Sequence, residues 1–495
     1  MRPHFFLWSF VVGFLLGGSI LFGPWFNDRG LFLLVLSGIG GLVVLWVPRY
    51  LNYLLVVIFG VGLAFLIGGR SHALWQGEKQ GQTTFAHEVM RVQGFPVEKS
   101  LFREIVLKPT CTERHCERAV LWRAPLVTHL HAGEKIRFSC TTEEAKNFTP
   151  DFDYRLYLAK EGIGSICQKN GQLEERLLPD WQGRFFFWIE QNRQRTEKVL
   201  SRALPQPELG LALGLILGGG NFLDKDIEES FKRIGMTHIV AVSGYNILLV
   251  AAGSFFVLGA LGLWRRQKLL LGSIIIWVFI LFVGAPASAV RAGSMALLFF
   301  LALLTGRKAS GFFVLILSAF LMLLFNPLLL FYDIGFQLSF LALLGILFSS
   351  EWLITKDWDK KEIARQTFMT TLWVEMYVLP LIVYYFGTLT WFSVVANMVL
   401  LPIIPLATLG SFALLLLGFL PDSLFLFLAI PVYLLLHIVI LFAEFCARLP
   451  WVSLEGLKLT LEQLALVYSI IILFSVVQLR KRRKNWYAKA FVVDD

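Results

Sequence analysis

Residues 237–250 read THIVAVSGYNILLV, and they set His238, Ser243, Gly244, Tyr245 and Asn246 inside a run apolar enough to enter a bilayer. Polar groups at that depth are costly, so they face a bundle interior or a water-filled path. Gly235 and His238 are three apart, and His238 and Tyr245 are seven apart. At 3.6 residues per turn these share one helix face, with Ser243 and Asn246 as a neighbouring pair. The Ser243-Gly244 step offers local unwinding that would expose carbonyls. Two readings stay open: a polar lining or gate, and an interhelical hydrogen-bond cluster that holds helices together.

The rest of the chain places this stretch. It has 495 residues, 56% of them hydrophobic and only 16% charged, where soluble chains carry about 25% charged residues. Long apolar runs recur from end to end, which excludes a soluble enzyme with a single anchor. Phe5–Phe22, Leu31–Val47 and Tyr53–Gly68 form an N-terminal group over 1–69, and the first is read as a retained span because it lacks a small-residue cleavage site. Residues 70–182 are polar, with alternating stretches separated by turn residues, and read as a small β-barrel or sandwich. Within 183–235, the segment RFFFWIEQNRQRTEKVLSRAL (184–204) reads as an amphipathic helix on the bilayer surface, with an ordinary surface helix as the alternative. Leu209–Gly219 is too short to span and reads as a re-entrant turn or partial span. Residues 236–479 hold candidate spans at 237–263, 269–284, 287–304, 311–325, 333–350, 368–387, 391–418, 423–446 and 460–479, and 480–495 form a basic tail. The expected fold is thus a polytopic α-helical membrane protein of about 12 spans with a small extracytoplasmic β-rich domain.

Loop charges orient this arrangement. Arg2, Arg265, Arg266, Lys268, Arg307, Lys308, Lys356–Arg365 and the terminal Arg480–Lys484 all fall on one expected side. Positive charge marks the cytoplasmic side, so both termini are expected there and 70–235 outside. The net charge of +10 is read mainly as this topology signal, with contact to anionic lipid or nucleic acid as a smaller role.

Four of the five cysteines, Cys111, Cys116, Cys140 and Cys167, lie in the polar region. In an oxidising compartment an even number favours disulfides. Cys111 with Cys116 and Cys140 with Cys167 is one of three possible connectivities. The rival reading is zinc held by Cys111, Cys116, His115, His129 and His131, although C-x4-C is loose spacing for a structural site. No cofactor and no metal are expected.

Further polar residues interrupt the apolar block. Arg291 stands alone in its run, Asp333 and Gln337 are four apart, Glu375 lies well inside another run, and Asn397 precedes Pro402 and Pro405. Lone intramembrane charges pair, so Arg291 is expected to meet Asp333 or Glu375. Asp333 and Glu375 are read as structural, and His238, Ser243, Tyr245, Asn246, Arg291, Gln337 and Asn397 as lining a path or gate. The chain carries no GxxxxGK[ST], HExxH or GxSxG motif. It is therefore read as a non-enzyme.

These residues carry a resemblance. FKRIGMTHIVAVSGYNILLV (231–250) resembles the central motif of the ComEC family of competence proteins. NPLLLFYDIGFQLSFLALLGI (326–346) is similar to a second hallmark of that family, Ser288–Leu297 to a third, and Phe386–Leu401 to a fourth in outline. Tyr245-Asn246 departs from the usual Leu-His and removes a titratable group. The resemblance implies an inner-membrane channel that passes one DNA strand into the cytoplasm during natural transformation. It implies an OB-like fold for the β-rich insertion, where Arg103, Lys108, Trp122 and Arg123 are candidate contacts for single-stranded DNA. It also implies membrane lipids, a DNA receptor, a separate nuclease and a cytoplasmic motor as partners, the chain being read as a form without the metallo-β-lactamase-like domain of many members. The alternatives are a transporter of an ion or envelope precursor through the same polar interior, and an intramembrane enzyme built on His238, Ser243 and Asp333.

Overall fold

Alternation of apolar and polar residues builds the β-rich part. In the computed structural model, residues 84–99, 101–110, 119–143, 145, 154–167, 171–218, 222–240, 244–306, 311–326, 328–350 and 360–490 are described. The three N-terminal runs, Cys111, Cys116 and Ser243 lie outside them. The polar region contains β1 (Thr84–Glu98), β2 (Arg103–Pro109), β3 (Ala119–Ala124), β4 (Lys135–Thr141), α1 (Tyr154–Ala159), β5 (Ile163–Cys167) and β6 (Gln172–Leu177). In β4, Ile136, Phe138 and Cys140 point inward while Lys135, Arg137 and Ser139 are partly open. This is the period-two pattern of a half-buried strand.

The six strands form one sheet in the order β5-β3-β2-β1-β4-β6. All neighbours are antiparallel except β3 and β5, which run parallel. An isolated bridge between Glu143 and Ile166 brings the chain after β4 back to β5, so the sheet curls towards closure. Register shifts in β1 supply the bend. A disulfide joins Cys140 to Cys167 across the same seam, with Cα atoms 6.3 Å apart. One core packs Trp122 against Phe138 and Ile136, and a second packs Leu121 and Ile166 under Leu158 of α1. The strand β3 is therefore covered on both faces. That corrects the expectation for Trp122: at 2% exposure it is a core residue and presents no ring to a base.

A long helix, α2 (Trp181–Ser201), links this domain to the helical block. Asp180 caps its start by accepting from Gly183 N at 2.9 Å. Glu190 accepts from Ala132 N, Arg193 donates to the Phe282 carbonyl at 2.8 Å, and Arg202 donates to the Gly418 carbonyl at 2.6 Å. A 21-residue helix reaches about 30 Å. It acts as a strut tied at both ends and in the middle. Trp181, Phe185, Phe187 and Trp188 on its first half are exposed.

The block itself comprises α3 (Glu208–Leu217), α4 (Lys225–Arg233), α5 (Thr237–Val240), α6 (Gly244–Ala260), α7 (Arg265–Phe282), α8 (Ala287–Leu304), α9 (Gly311–Phe325), α10 (Leu329–Tyr332), α11 (Ile334–Ser350), α12 (Lys360–Phe386), β7 (Thr388–Leu389), α13 (Ser393–Leu400), α14 (Ile403–Leu416), α15 (Asp422–Ala447), β8 (Leu454–Glu455) and α16 (Leu461–Ala490). Helices thus run through the nine hydrophobic segments read between 237 and 479. Among the described residues four of them are long and apolar enough to cross a membrane: Thr237–Ala260, Ala287–Leu304, Arg365–Phe386 and Asp422–Ala447. The pair α13 and α14, bent by 47°, makes a fifth if it is one span. The expectation of about 12 spans exceeds this count for two reasons. The N-terminal runs are not described, and of the other expected spans α9 and α11 have only 15 and 17 residues, α7 carries three basic residues in its 18, and the apolar part of α16 is limited to Leu461–Ser475.

All ten residues of α3 are buried. Its length of about 15 Å covers half of a hydrocarbon layer. It fills the centre of the largest core, against Leu414, Phe425, Leu436 and Ile440.

Candidate functional site

Two polar foci lie where helices break. The first gathers around Gly235, which adopts φ +75° between α4 and α5. A methyl group there would sit 2.8 Å from Thr390 Oγ1 and 2.9 Å from Ser393 Cβ, so only glycine lets the backbone approach α13 this closely. His238 of α5 is exposed, Glu375 of α12 is half-buried, and the Ser393 hydroxyl donates to the Thr390 carbonyl at 2.7 Å. Asn397, one turn beyond Ser393, is buried. Asn246, 2% exposed, donates from Nδ2 to the Leu215 carbonyl of α3 at 2.9 Å. Tyr245 instead points outward, 38% exposed.

The second focus lies at the start of α11. Asp333 separates α10 from α11, and its Oδ1 accepts from Phe336 N at 2.9 Å in the manner of an N-cap. Its Oδ2 lies 3.8 Å from Lys160 Nζ, a residue of the β-rich domain. Gln337 turns back to donate to the Leu330 carbonyl at 2.7 Å, which closes the short helix α10. Asn326 donates to the Lys160 carbonyl at 2.7 Å, and Leu156 packs on Leu328 and Tyr332. The second motif is thus the seat on which the β-rich domain rests.

Arg291 reaches the same place from α8. It is only 4% exposed, and its Nε and Nη1 have no hydrogen-bond partner. Asp333 acts on it electrostatically. A methyl group on Gly335 would lie 3.5 Å from Arg291 Nη2 and 3.1 Å from Asp333 Oδ1. The expected ion pair of Arg291 with Asp333 or Glu375 does not form within 4 Å, and Asp333 pairs with Lys160 instead. Helices α6 and α8 touch near the two foci: a methyl group on Gly244 would be 3.6 Å from the Ala292 side chain.

Sequence reading missed Glu208, the one acidic residue at the start of α3. It is 2% exposed and its Oε1 lies 2.7 Å from His437 Nδ1 on α15, with Tyr433 stacked on the His437 ring. A lone carboxylate preceding an apolar decamer was the available signal. Lys160, Thr390 and Ser393 carried none. Among the described residues no group of three or more His, Cys, Asp or Glu converges as a metal site. In the β-rich domain Arg103 is spent on Glu98 and the Thr128 carbonyl, and Arg123 lies over the Phe102 ring at 5.2 Å.

Residues 215–481, more than half of the chain, match the family described as Competence protein. The chain belongs to this competence family. It is also 25% identical over 276 residues to ComE operon protein 3 of Bacillus subtilis (strain 168), a match covering 55% of this chain and 34% of that protein. The chain thus spans about a third of the length of that curated relative. No solved structure matches. The matched region begins inside α3 and runs into α16, so both polar foci of this competence-family protein fall within it. Lys160, which closes the second focus, falls outside it.

Proposed function

We propose that this chain is a multi-pass protein of the bacterial inner membrane that passes single-stranded DNA into the cytoplasm during natural transformation. Membership of the competence family supports a role in DNA uptake. The observation that carries the conduit is the burial of polar side chains on separate apolar helices, Asn246, Arg291, Asp333 and Asn397. In a bilayer such groups are retained where they serve a path or hold one open. A single strand fits this setting because its phosphates can exchange water for fixed donors, whereas a duplex is wider than a helix-bundle passage.

The β-rich domain is read as OB-like and extracytoplasmic. The parallel β3–β5 pair, the meander β1-β2-β3 and the bridge from β4 to β5 support that reading. It rests on the second hallmark motif, a position suited to delivering a strand to the helical block. In this reading both termini are cytoplasmic, the protein itself performs no catalysis, and a DNA receptor, a nuclease and a cytoplasmic motor are separate polypeptides.

Deletion of the gene from a naturally competent host tests the proposal. Transformation by added DNA should fall by several orders of magnitude while DNA binding at the cell surface persists. Undiminished transformation in the deletion strain would refute it.

A further inference from the structure

We propose that Arg291 and the first turn of α11 form a phosphodiester-binding subsite beneath the β-rich domain. Three observations meet here. Arg291 is 4% exposed, yet Nε and Nη1 donate to nothing. A buried guanidinium with unused donors is costly unless an anion completes it. Its Nη2 stands beside Gly335, the second residue of a 17-residue helix. The first N–H groups of a helix lack intrahelical acceptors and carry the positive end of its dipole; here Asp333 already takes that of Phe336, so the subsite draws on the N–H groups before it. Lastly, Gly335 is exposed although Asp333 and Phe336 around it are buried, and a methyl group on it would lie 3.5 Å from Arg291 Nη2.

The carboxylates nearby do not fill this role. Asp333 is already engaged, by Phe336 N on one oxygen and by Lys160 on the other. Glu161, next to Lys160 in the chain, makes no ion pair with Arg291, and desolvation pushes its carboxyl above the usual range against the lowering effect of Lys160. Arg291 is left with donors to spare. A phosphodiester matches it in geometry, because the guanidinium fork binds two oxygens at once. As a station for the transported strand this subsite rests on the conduit reading. The same chemistry also fits a lipid phosphate.

The full-length protein in maltoside detergent, which carries no phosphate, separates these sources. A fluorescent oligothymidylate and, separately, phosphatidylglycerol are titrated against wild type, Arg291→Gln, Arg291→Lys and Gly335→Ala. Gly335→Ala sets a methyl group beside the guanidinium without altering charge and keeps the test alive if Arg291→Gln does not fold. For the oligonucleotide, Arg291→Gln should reduce the slope of log affinity against log salt by about 0.7, one single-strand phosphate contact. Arg291→Lys should keep the slope, and Gly335→Ala should weaken binding. Equal oligonucleotide and lipid binding by all four proteins would overturn the subsite and leave the conduit reading standing. Arg291-dependent lipid binding by a wild type that takes no oligonucleotide would keep the subsite and remove the strand from it.

Discussion

Lys160 Nζ stands 3.8 Å from Asp333 Oδ2, and the two side chains are 10% and 7% exposed. One residue belongs to the turn after α1 of the β-rich domain and the other to the break between α10 and α11. Their pairing, together with the Asn326–Lys160 hydrogen bond, fixes the domain on the helical block. Removing one partner of a buried ion pair leaves the other charge uncompensated, at about 3–5 kcal/mol. Lys160→Met should therefore destabilise the protein towards the low end of that range, since the pair is not in close contact. Asp333→Asn in the same chain should restore part of the loss, because Asn still caps α11. Unfolding of the four proteins of this double-mutant cycle gives the coupling. Strictly additive losses would show that the two residues do not act together.

Asn246 separates lining from packing. Its amide donates to the Leu215 carbonyl in a buried position, which ties α6 to α3. Leaving that carbonyl without a donor costs about 1–3 kcal/mol. Asn246→Ala should lower protein amount and melting temperature, with transformation per molecule of protein unchanged. If instead transformation per molecule falls while melting is unaffected, Asn246 faces the path and the hydrogen bond to Leu215 is incidental.

Much of the helical block was legible because apolar runs are long and their polar interruptions few. Arg291, Asp333 and Asn397 stood out as costly residues in apolar surroundings, and all three are buried. Their partners were not legible. Lys160 sits in a Lys-Glu-Gly turn that resembles any solvated loop, and only the docking of two domains gives it Asp333. Trp122 is buried because its face of β3 turns into the sheet's own core with Ile136 and Phe138, while α1 covers the opposite face, so neither face of the strand is open. Ser393 and Thr390 became visible only through Gly235, whose missing side chain brings them within reach. Local periodicity reports which face is buried. It does not report against what.

Acid should loosen the junction between the β-rich domain and α2. Asp180 is held below the usual carboxylate range, first by the Gly183 N–H and then by Arg91 and Lys135. A folded value below the unfolded one adds stability that is complete above the unfolded value. That contribution disappears as pH falls through the folded value. The melting temperature of wild type should thus decline below about pH 4. Asp180→Asn, which keeps a cap but not the charge, should melt lower at pH 7 and approach wild type at the acid end. Parallel curves across this range would mean that Asp180 contributes no pH-dependent stability.

Gly235 and Gly94 make a matched pair for the first polar focus. Both have positive φ, +75° and +70°. A side chain at Gly94 meets nothing within 4 Å, whereas one at Gly235 meets Thr390 Oγ1 at 2.8 Å. Gly94→Ala should therefore lose only the left-handed backbone penalty, about 1–2 kcal/mol. Gly235→Ala should lose that and also push α13 away from the His238 turn, which separates Ser393 from its present neighbours. The expected result is a larger drop in melting temperature for Gly235→Ala, with transformation reduced even after correction for protein amount. Equal losses from the two substitutions would mean that α13 yields freely at this contact. The close approach of Gly235 to Thr390 and Ser393 would then contribute nothing to the site.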